Sequence, residues 1–290
     1  MSNILVTGAG GQLGSELRVL AEAGSRRRYI FTDVAELDIT DAAAVERFVA
    51  ENDVEATVNC AAYTAVERAE EDEARADLLN NVAAGNLAAA MKRAGGTLVH
   101  ISTDYVFAGD GDRPRREDDA AAPASAYGRT KLAGERTIAA SGCKALILRT
   151  SWLYSSFGNN FVKTMLRLLD ERESLDVVCD QTGSPTYAAD LAGAIFRIVE
   201  EGLHAGNEGL YHYCGRGECT WYDFARAIAE ESGHDGVRVR PCFSRDYPSR
   251  VRRPLYSVMD TGLFRERFGM EIPHWRESLV ECLRRLGAVK

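Results

Sequence analysis

The first fourteen residues constrain the fold most strongly. Residues 3–7 form a short apolar run, and a glycine-rich turn follows at once, with Gly8, Gly11 and Gly14 at every third position. A helical pattern then continues to about residue 23. A strand, a glycine turn and a helix begin a parallel α/β sheet, and the helix N-terminus of such a unit offers free N–H groups to a phosphate. The alternative, a glycine-rich turn without a ligand, is disfavoured by this context.

Apolar runs of strand length alternate with helical patterns as far as Trp152. We expect strands near residues 3–7, 29–32, 56–60, 98–101 and 145–150. This alternation predicts an α/β fold, a Rossmann-type doubly wound parallel sheet. The irregular remainder indicates a smaller C-terminal α/β substrate domain. We therefore assign a dinucleotide-binding domain to residues 1–152, with a returning segment near residues 176–205, and an interleaved substrate domain to residues 153–290.

The predicted cofactor contacts lie where strands end. Asp33 follows the second strand, and an acid at this place commonly binds the ribose hydroxyls of NAD. Three arginines, residues 26–28, precede the same strand and leave contact with a 2′-phosphate open, so the cofactor is NADPH or NADH. Small residues after the third strand let the backbone lie against a ligand. The contacts predicted from these patterns are Gly8, Gly11, Gln12, Leu13, Gly14, Asp33, Asp38, Ile39 and Ala61.

Tyr127 and Lys131 form the candidate catalytic pair. A Ser cap at Ser125 and a stop at Gly142 predict a helix between them, and residues four apart share one face of a helix. A nearby cation lowers the pKa of a phenol, whose ordinary pKa of about 10 makes it a poor acid or base at neutral pH. An exposed pair on a helix surface is the alternative. The context favours chemistry, because a buried strand leads directly into Thr103, where parallel sheets bind ligands.

Composition excludes several classes of protein. A formal net charge of −8 over 290 residues argues against a nucleic-acid partner. The seven cysteines form no Cys-x-x-Cys pair, which indicates reduced thiols and a cytoplasmic location. The five histidines show no metal spacing, so we expect no metal site, and no apolar run predicts a membrane partner.

A cluster of arginines stands out in this acidic chain. Arg250, Arg252 and Arg253 lie close together in a basic and aromatic stretch. Arginine binds phosphate through bidentate, charge-assisted hydrogen bonds, so a diphosphate-bearing substrate would suit this stretch. Solvation of a surface cluster is the equally weighted alternative.

Several motifs occur in an order that resembles one family along nearly the whole chain. They are Gly-x-x-Gly-Gln-Leu-Gly, Ala-Ala-Tyr-Thr-Ala-Val-Glu-Arg-Ala-Glu, Ser-Thr-Asp-Tyr-Val-Phe, Tyr-Gly-x-x-Lys and Arg-Thr-Ser-Trp, with Gly-Asn-Asn-Phe, Gln-x-Gly-x-Pro-Thr and Arg-Pro further on. They are similar to the extended short-chain dehydrogenase/reductases, and within them to the dTDP-4-dehydrorhamnose reductase family. The resemblance implies hydride transfer from a reduced nicotinamide to C4 of a dTDP-4-keto-6-deoxy sugar, the dTDP-sugar substrate.

The same resemblance implies roles for individual residues. Tyr127 would donate a proton, Lys131 would orient the nicotinamide ribose and lower the pKa of Tyr127, and Thr103 would bind the keto oxygen. The implied further cofactor contacts are Ala62, Tyr63, Thr64, Tyr127 and Lys131. The implied substrate contacts are Thr103, Asp104, Tyr105, Trp152, Asn160 and Arg253.

The chain departs from the family at one position, where Tyr256 replaces the asparagine of Arg-Pro-x-Asn-Ser. A homodimer and a metal at its interface stay open. Two alternative functions also stay open: an epimerase or another nucleotide-sugar oxidoreductase, and a non-catalytic regulatory subunit. The intact Thr103, Tyr127 and Lys131 argue against the regulatory subunit, which has no need of a proton donor.

Overall fold

The computed structural model describes residues 3–246 and 251–289. The strands are β1 Asn3–Thr7, β2 Arg28–Thr32, β3 Val54–Asn59, β4 Thr97–Thr103, β5 Lys144–Thr150, β6 Leu153–Tyr154, β7 Ser174–Val178, β8 Thr182–Gly183, β9 Thr186–Tyr187, β10 Gly209–His212, β11 Cys219–Thr220 and β12 Arg238–Cys242. The helices are α1 Gln12–Ala23, α2 Ala42–Glu51, α3 Val66–Glu71, α4 Glu73–Asp77, α5 Ala83–Ala94, α6 Ala126–Ser141, α7 Phe161–Glu171, α8 Ala188–Glu200, α9 Trp221–Glu231, α10 Gly262–Phe268 and α11 Trp275–Arg285.

Six of the strands form one parallel sheet in the order β10-β5-β4-β3-β1-β2. The chain leaves β1 toward β2 on one side and returns to β3 on the other. This reversal creates a crevice beyond the carboxyl ends of β1 and β3. The doubly wound parallel sheet predicted from the sequence is confirmed, and each of its first five strands lies within two or three residues of its expected position.

Apolar side chains cover both faces of this sheet, because successive strand residues point to opposite sides. Ile4 and Val6 pack with α1, α8 and α10, whereas Leu5 packs with α2, α5 and α6. All three side chains are fully buried. A strand buried on both faces reads as a continuous apolar run, and this is why the sequence reveals β1 so clearly.

A second apolar cluster forms around α7, α9 and α11 and includes side chains of β7 and β12. The expected returning segment near residues 176–205 differs from the observed connection. Leu175 and Val177 pack in the second cluster, whereas α8 and β10 join the large sheet. The return to the sheet therefore ends beyond residue 205, because α8 is the crossover that places β10 beside β5.

The segment between residues 67 and 92 is helical but is not one continuous α-helix. It consists of α3, α4, a π-helical turn Leu78–Val82, and α5. The turn brings the Asn80 carbonyl so close to α6 that a Cβ on Gly134 would overlap it. Over the residues that the structure describes, no helix combines the length and apolar character needed to cross a bilayer.

Candidate active site

The carboxyl ends of β4, β3 and β1 lie side by side in the sheet. They place Thr103, the segment after Asn59 and the glycine turn at one edge. Helix α6 packs against β4 and the short 3-10 turn that follows it. The predicted cofactor and catalytic motifs, which are far apart in the chain, therefore meet at this edge.

The glycine turn has the geometry that its sequence predicts. Gly8 adopts φ +66°, and a Cβ built there would lie 2.6 Å from the Ala61 nitrogen. A Cβ on Gly14 would lie 2.5 Å from the Gly8 carbonyl oxygen. Larger residues at either position would push β1, β3 and α1 apart, so these glycines hold the turn closed.

The start of α1 supplies donors for an anion. Gly11 is its N-cap and has no side chain to satisfy the first N–H groups, and the first helical hydrogen bond runs from Ser15 N–H to the Gly11 carbonyl. The N–H groups of residues 12–14 are therefore free to bind phosphate oxygens. The Leu13 side chain itself packs into the core, which leaves only its main chain for this role.

A cleft of about 280 Å³ opens beside this helix start. Of the predicted cofactor contacts, those that line it are Gly8, Gly11, Asp33, Asp38, Ile39, Ala61 and Ala62. Leu37, which precedes Asp38 and Ile39 in the same patch, also lines it, and the lining residues that the sequence did not point to are Thr7, Thr32, Val34, Cys60 and Leu79. Tyr63 and Thr64 follow Ala62 directly. The structure thus brings seven of the fourteen predicted cofactor contacts into one groove.

Asp33 faces the glycine turn, where its Oδ2 accepts a hydrogen bond from the Gly10 N–H at 2.6 Å. The three arginines at residues 26–28 lie at the other end of β2, about 16 Å away at 3.3 Å per residue. There the Arg26 N–H binds Glu200, and Arg27 pairs with Glu55 at 2.7 Å. The contact with a 2′-phosphate that the sequence left open is therefore not available to these arginines.

Tyr127 and Thr103 form the centre of the catalytic edge. Ser125 caps α6 by accepting the Gly128 N–H at 3.1 Å, and Gly142 ends the helix in the left-handed conformation, as predicted. Burial raises the pKa of Tyr127, the neighbouring Thr103 hydroxyl lowers it, and the Asp104 carboxyl raises it further. A phenol with a raised pKa keeps its proton at neutral pH, which suits a proton donor.

Lys131 lies one helical turn beyond Tyr127, but its amine is engaged elsewhere. It donates to the Ile101 carbonyl at 2.6 Å and lies 3.3 Å from His100 Nε2. Burial lowers the pKa of Lys131 to about 8, against a smaller opposing effect of Glu135. The effect of Lys131 on the pKa of Tyr127 stays a prediction. In this structure the pKa of Tyr127 is shifted by burial and by Thr103, Asp104 and Tyr105.

Three predicted substrate contacts, Asp104, Tyr105 and Arg253, lie around Thr103 and Tyr127. Asp104 is buried, and its Oδ1 accepts from Thr103 at 3.0 Å while Oδ2 has no hydrogen-bond partner among the described residues. Burial raises the pKa of Asp104 to about 6. Tyr105 packs edge-on against Tyr127 with ring centroids 5.5 Å apart, and Arg253 lies close enough to lower the pKa of the Tyr105 phenol. The structure therefore brings two distant parts of the chain, residues 104–105 and residue 253, close to the Tyr127 phenol.

A larger cavity of about 1080 Å³ lies on the side of the second apolar cluster. Its apolar wall includes Phe161, Met165, Leu175 and Trp221. Its cationic wall is formed by Arg172, Arg245, Arg252 and Arg253, and it also holds Asp176 and Asp246, the second of which pairs with Arg245 at 3.7 Å. Arg250, which the sequence grouped with the last two, lies outside the described residues. Arg253 also pairs with Glu67 at 3.2 Å, so it connects this cavity to the catalytic edge.

Trp152 connects the two regions by stacking. Its ring lies 3.6 Å from that of Trp221 with an angle of 6° between the planes. It has a positive φ of 46°, which is unusual for a bulky residue. Gly183 allows this position, because a Cβ there would lie 2.5 Å from the indole ring.

Asn160 is not brought to this cluster. Its Oδ1 caps α7 by accepting the Lys163 N–H, while its Nδ2 donates to Gln12 Oε1 at 2.9 Å and to the Ser155 carbonyl at 2.7 Å. Its amide therefore holds two parts of the chain together. The Tyr256 hydroxyl, the position that departs from the family pattern, bonds Glu218 at 3.0 Å and does not line the cavity.

Sequence reasoning missed Asn80, Trp221 and Arg172. Asn80 accepts the Tyr63 N–H at 2.8 Å and donates to Thr130 on α6, which fixes the segment after β3 against the catalytic helix. A buried asparagine within a helical pattern was the available signal. No local pattern points to Trp221 or Arg172, because only the tertiary fold brings them to the cavity.

Comparison with known proteins places the chain among sugar-nucleotide reductases. A family model described as the RmlD substrate binding domain matches residues 1–288. The chain is 43% identical to a Mycolicibacterium smegmatis protein named dTDP-4-dehydrorhamnose reductase, over 97% of this chain and 84% of that one. It is equally identical, over 96% and 93%, to a Streptomyces antibioticus protein named probable dTDP-4,6-dihydroxy-2-methyloxan-3-one 4-ketoreductase. A solved structure of dTDP-4-dehydrorhamnose reductase from Bacillus anthracis in complex with NADP matches with a TM-score of 0.91 and 38% identity, over 98% of this chain and 100% of that one.

Proposed function

The chain belongs to the RmlD family, and we propose that it reduces the C4 keto group of dTDP-4-dehydrorhamnose to give dTDP-L-rhamnose. It is an NAD(P)H-dependent oxidoreductase by its relationship to the reductases it resembles. One observation carries the proposal. The Thr103 hydroxyl lies beside the Tyr127 phenol, whose pKa it lowers, at the carboxyl edge of the sheet where the cofactor cleft also opens.

The cleft suits the adenine-nucleotide part of a dinucleotide, since its glycines leave room that a Cβ would fill and its helix offers free N–H groups. When bound, the reduced nicotinamide supplies the hydride. Asp33 lies where it can accept from ribose hydroxyls, and among the described residues no lysine or arginine lines the cleft. A 2′-phosphate would meet a carboxylate there, so we expect NADH to be preferred over NADPH.

Tyr127 gives its proton to the C4 oxygen as negative charge develops on it. Thr103 donates a second hydrogen bond to the same oxygen, in place of its bond to Asp104. Donors that are already in position stabilise the developing charge without reorganisation. The unpartnered Oδ2 of Asp104 is free to accept from a sugar hydroxyl. In this proposal Tyr127 donates the proton, and the buried Asp104 carboxyl binds the sugar.

The large cavity suits the nucleotide part of the substrate. Phe161 and Trp221 present aromatic faces to a flat base, and stacking is favourable whatever the base. Arg172 and Arg252 lie on the cationic wall, and neither has an acidic partner among the described residues. Arginines without a partner favour a diphosphate. Arg253 then lies between the diphosphate and the sugar.

The two pockets support the predicted assignment of cofactor binding and substrate binding to different parts of the chain. We propose that residues 1–152 bind the dinucleotide together with α8 and β10, and that the rest of residues 153–290 binds the sugar nucleotide. A homodimer stays a prediction, which sedimentation of the purified chain tests.

The decisive experiment follows the absorbance of the reduced nicotinamide. Purified protein receives NADH or NADPH and the dTDP-4-keto sugar, and we expect stoichiometric loss of the band, faster with NADH. Tyr127→Phe should lower turnover by about 10²-fold or more and leave cofactor affinity nearly intact. Tyr222→Phe, on α9, is the matched control.

Three outcomes would contradict the proposal. Wild-type turnover in Tyr127→Phe would exclude Tyr127 as the proton donor. Cofactor binding without loss of the band would favour an epimerase or a regulatory subunit. Turnover of a different 4-keto sugar would favour the second candidate, a ketoreductase such as that named for the Streptomyces antibioticus relative.

A further inference from the structure

Trp152 lies directly beyond the catalytic edge of the sheet. Thr150, the last residue of β5, pairs with Thr103 at the end of β4, and Trp152 follows two residues later. The Trp152 ring is half-buried, so part of it stays accessible at this edge. An indole at this place can form one wall of the space that a sugar occupies when Thr103 binds its keto oxygen.

The main chain at Trp152 adopts an unfavourable conformation. A φ of 46° places a bulky residue in the left-handed region, where its Cβ is crowded by the backbone. Such a conformation persists only where the surrounding contacts determine it, and it occurs most often at functional sites. The groups that hold Trp152 in this conformation therefore have a positioning role.

The stack of Trp152 on Trp221 is not the arrangement that two aromatic rings prefer. Aromatic pairs favour offset or edge-on packing, with centroids about 4.5–7 Å apart, over full overlap. Here the centroids are 3.6 Å apart and the planes differ by 6°, so the two indoles overlap almost fully. The surroundings, and not the mutual attraction of the rings, therefore set this geometry.

One short segment, residues 182–187, holds both tryptophans. The Thr186 N–H donates to the Trp152 carbonyl at 3.2 Å, and β6, which begins directly after Trp152, pairs with β9. On the other side of the segment, β11 pairs with β8 and ends immediately before Trp221. The two rings are therefore fixed relative to each other through one piece of backbone.

Trp221 is held firmly where α9 begins. The Thr220 hydroxyl accepts the Asp223 N–H at 3.1 Å, and the Thr220 N–H donates to Asp223 Oδ2 at 3.0 Å, which completes a capping box. Phe161 packs against the Trp221 ring with centroids 4.6 Å apart. Movement of Trp221 away from Trp152 would break these contacts.

We propose that Trp221 is a positioning residue that holds the Trp152 ring against Gly183 and so fixes the wall that orients the sugar for hydride transfer to C4. A Cβ on Gly183 would lie 2.5 Å from the indole of Trp152, so the glycine leaves the space that the ring occupies. Trp221 lines the large cavity while its ring also contacts Trp152, so this role is distinct from stacking on a base. The consequence for catalysis rests on the proposed reduction.

Nuclear magnetic resonance tests the arrangement without any substrate. Protons above the face of an aromatic ring resonate at higher field, and the rings of the three tryptophans can be labelled selectively with ¹³C. We expect the Trp152 ring protons to lie upfield of those of free tryptophan in the wild type, and Trp152→Phe assigns them. They should return toward the free values in Trp221→Leu and stay shifted in Trp221→Phe, which keeps a flat ring.

Turnover of the proposed substrate separates positioning from base stacking. Loss of base stacking alone raises KM for the sugar nucleotide and leaves kcat unchanged. Misplacement by about 1 Å can cost about 10²-fold in rate, so we expect Trp221→Leu to lower kcat by about tenfold or more. Trp221→Phe should keep kcat within about threefold of the wild type. Tyr222→Leu, at the next position on α9, is the control and should change neither kcat nor the Trp152 resonances.

Gly183→Ala is the matched variant, because it leaves Trp221 intact and displaces the Trp152 ring. Its Cβ would overlap the indole, whereas the extended backbone of β8 accepts alanine. We expect kcat to fall by about tenfold and the Trp152 protons to lose their upfield shift. Gly193→Ala, whose Cβ meets no atom within 4 Å, is the control and should leave both unchanged.

Three results would overturn the proposal. Trp152 protons without an upfield shift in the wild type would show that the two rings do not stack. Raised KM with wild-type kcat in Trp221→Leu would leave base stacking as the only role of Trp221. Wild-type kcat in Gly183→Ala, with the Trp152 resonances displaced, would show that the position of this ring does not affect the reaction.

The same measurements separate this proposal from the proposed reaction. If Trp221→Leu does not fold, Gly183→Ala decides whether the position of Trp152 matters. Absence of turnover in the wild type rejects the proposed reaction. The Trp152 resonances in the wild type and the variants then decide on their own whether Trp221 holds Trp152 in place.

Discussion

The cofactor cleft and the arginine cavity achieve binding in opposite ways. The cleft is shaped by main chain, with Gly8 and Gly14 in positions where a Cβ would overlap backbone atoms. The cavity is shaped by long side chains such as Arg172 and Arg252, which come from separate parts of the chain and are largely exposed. Binding in the cofactor cleft is therefore determined by steric exclusion, and binding in the arginine cavity by charge.

This difference predicts how each pocket responds to change. A steric overlap with backbone must be relieved by moving strands, and a packed sheet resists such movement. An exposed charge can be replaced by a neighbour or by salt ions, and its contribution is screened. Substitutions in the cleft should therefore have large effects that do not depend on salt, whereas those in the cavity should have small effects that do.

Gly14→Ala should have the largest effect and would sharpen the comparison most. Its Cβ would lie 2.5 Å from the Gly8 carbonyl oxygen and 2.7 Å from the Ala9 Cα, and both are backbone atoms. We expect cofactor affinity to fall by about 10²-fold or the protein to lose its fold, since overpacking costs about 1–3 kcal/mol. Fluorescence titration with NADH and thermal unfolding measure the two effects.

Gly193→Ala in α8 is the matched control for this change. A Cβ there meets no atom within 4 Å. Alanine forms helices better than glycine, so this variant should be as stable as the wild type or more stable by about 0.5–1 kcal/mol. Equal loss of cofactor binding in both variants would contradict the steric account of the cleft.

Lys131→Met should have the next largest effect, which is on stability. It tests the buried catalytic edge independently of the cleft and the cavity. The pKa of Lys131 is lowered from 10.5 to about 8, so up to about pH 8 both folded and unfolded chains hold the proton and the wild type bears the full cost of a buried cation. Between pH 8 and 10.5 the unfolded chain binds more protons, so the stability of the wild type rises relative to that of the variant. A shift of this size corresponds to about 3 kcal/mol.

Urea unfolding across this pH range measures the difference in free energy of unfolding between the wild type and Lys131→Met. The same change at the exposed Lys144 is the control, and its difference should stay constant. A difference for Lys131 that is flat with pH would show that burial does not penalise its charge.

Thr103→Val tests the catalytic edge at nearly constant volume. Removal of one donor to a developing oxyanion costs about 10²-fold in kcat, and we expect that loss without a comparable change in KM. Thr57→Val is the control, since Thr57 is also buried in a strand but bonds only the Met91 sulfur. A loss below about threefold for Thr103→Val would make its hydroxyl structural.

The same contrast explains what could be predicted from the sequence. The glycine turn, β1 and the caps of α6 depend on local rules about φ angles and helix ends, and the structure confirms them. The partners of Lys131 could not be predicted, because β4 supplies His100 and the Ile101 carbonyl only through its packing against α6. The stacking of Trp152 on Trp221 depends on packing across about seventy residues of chain, for which no local signal exists.

Pairing of β7 with β12 was missed for the same reason. Sixty residues separate the two strands, and β12 is interrupted by Pro241, which favours an edge strand over a central one. The cavity therefore takes its shape from contacts that a reading of the chain in order does not reveal. Its arginines were recognised as a charge cluster, but Arg172 joined them only in the folded chain.

Arg172→Gln should have the smallest effect and would break the comparison if it proved large. Arg172 is exposed at the end of α7, so its attraction for a diphosphate is shared with the other arginines of the cavity and is screened by salt. We expect KM for the sugar nucleotide to rise about two- to fivefold at low salt, with kcat unchanged, and the rise to vanish at high salt. Arg167→Gln is the control on the same helix, since Arg167 pairs with Glu171 and does not line the cavity. A salt-independent loss of 10²-fold or more would mean that Arg172 is held as rigidly as the glycine turn, and that both pockets bind by fixed geometry.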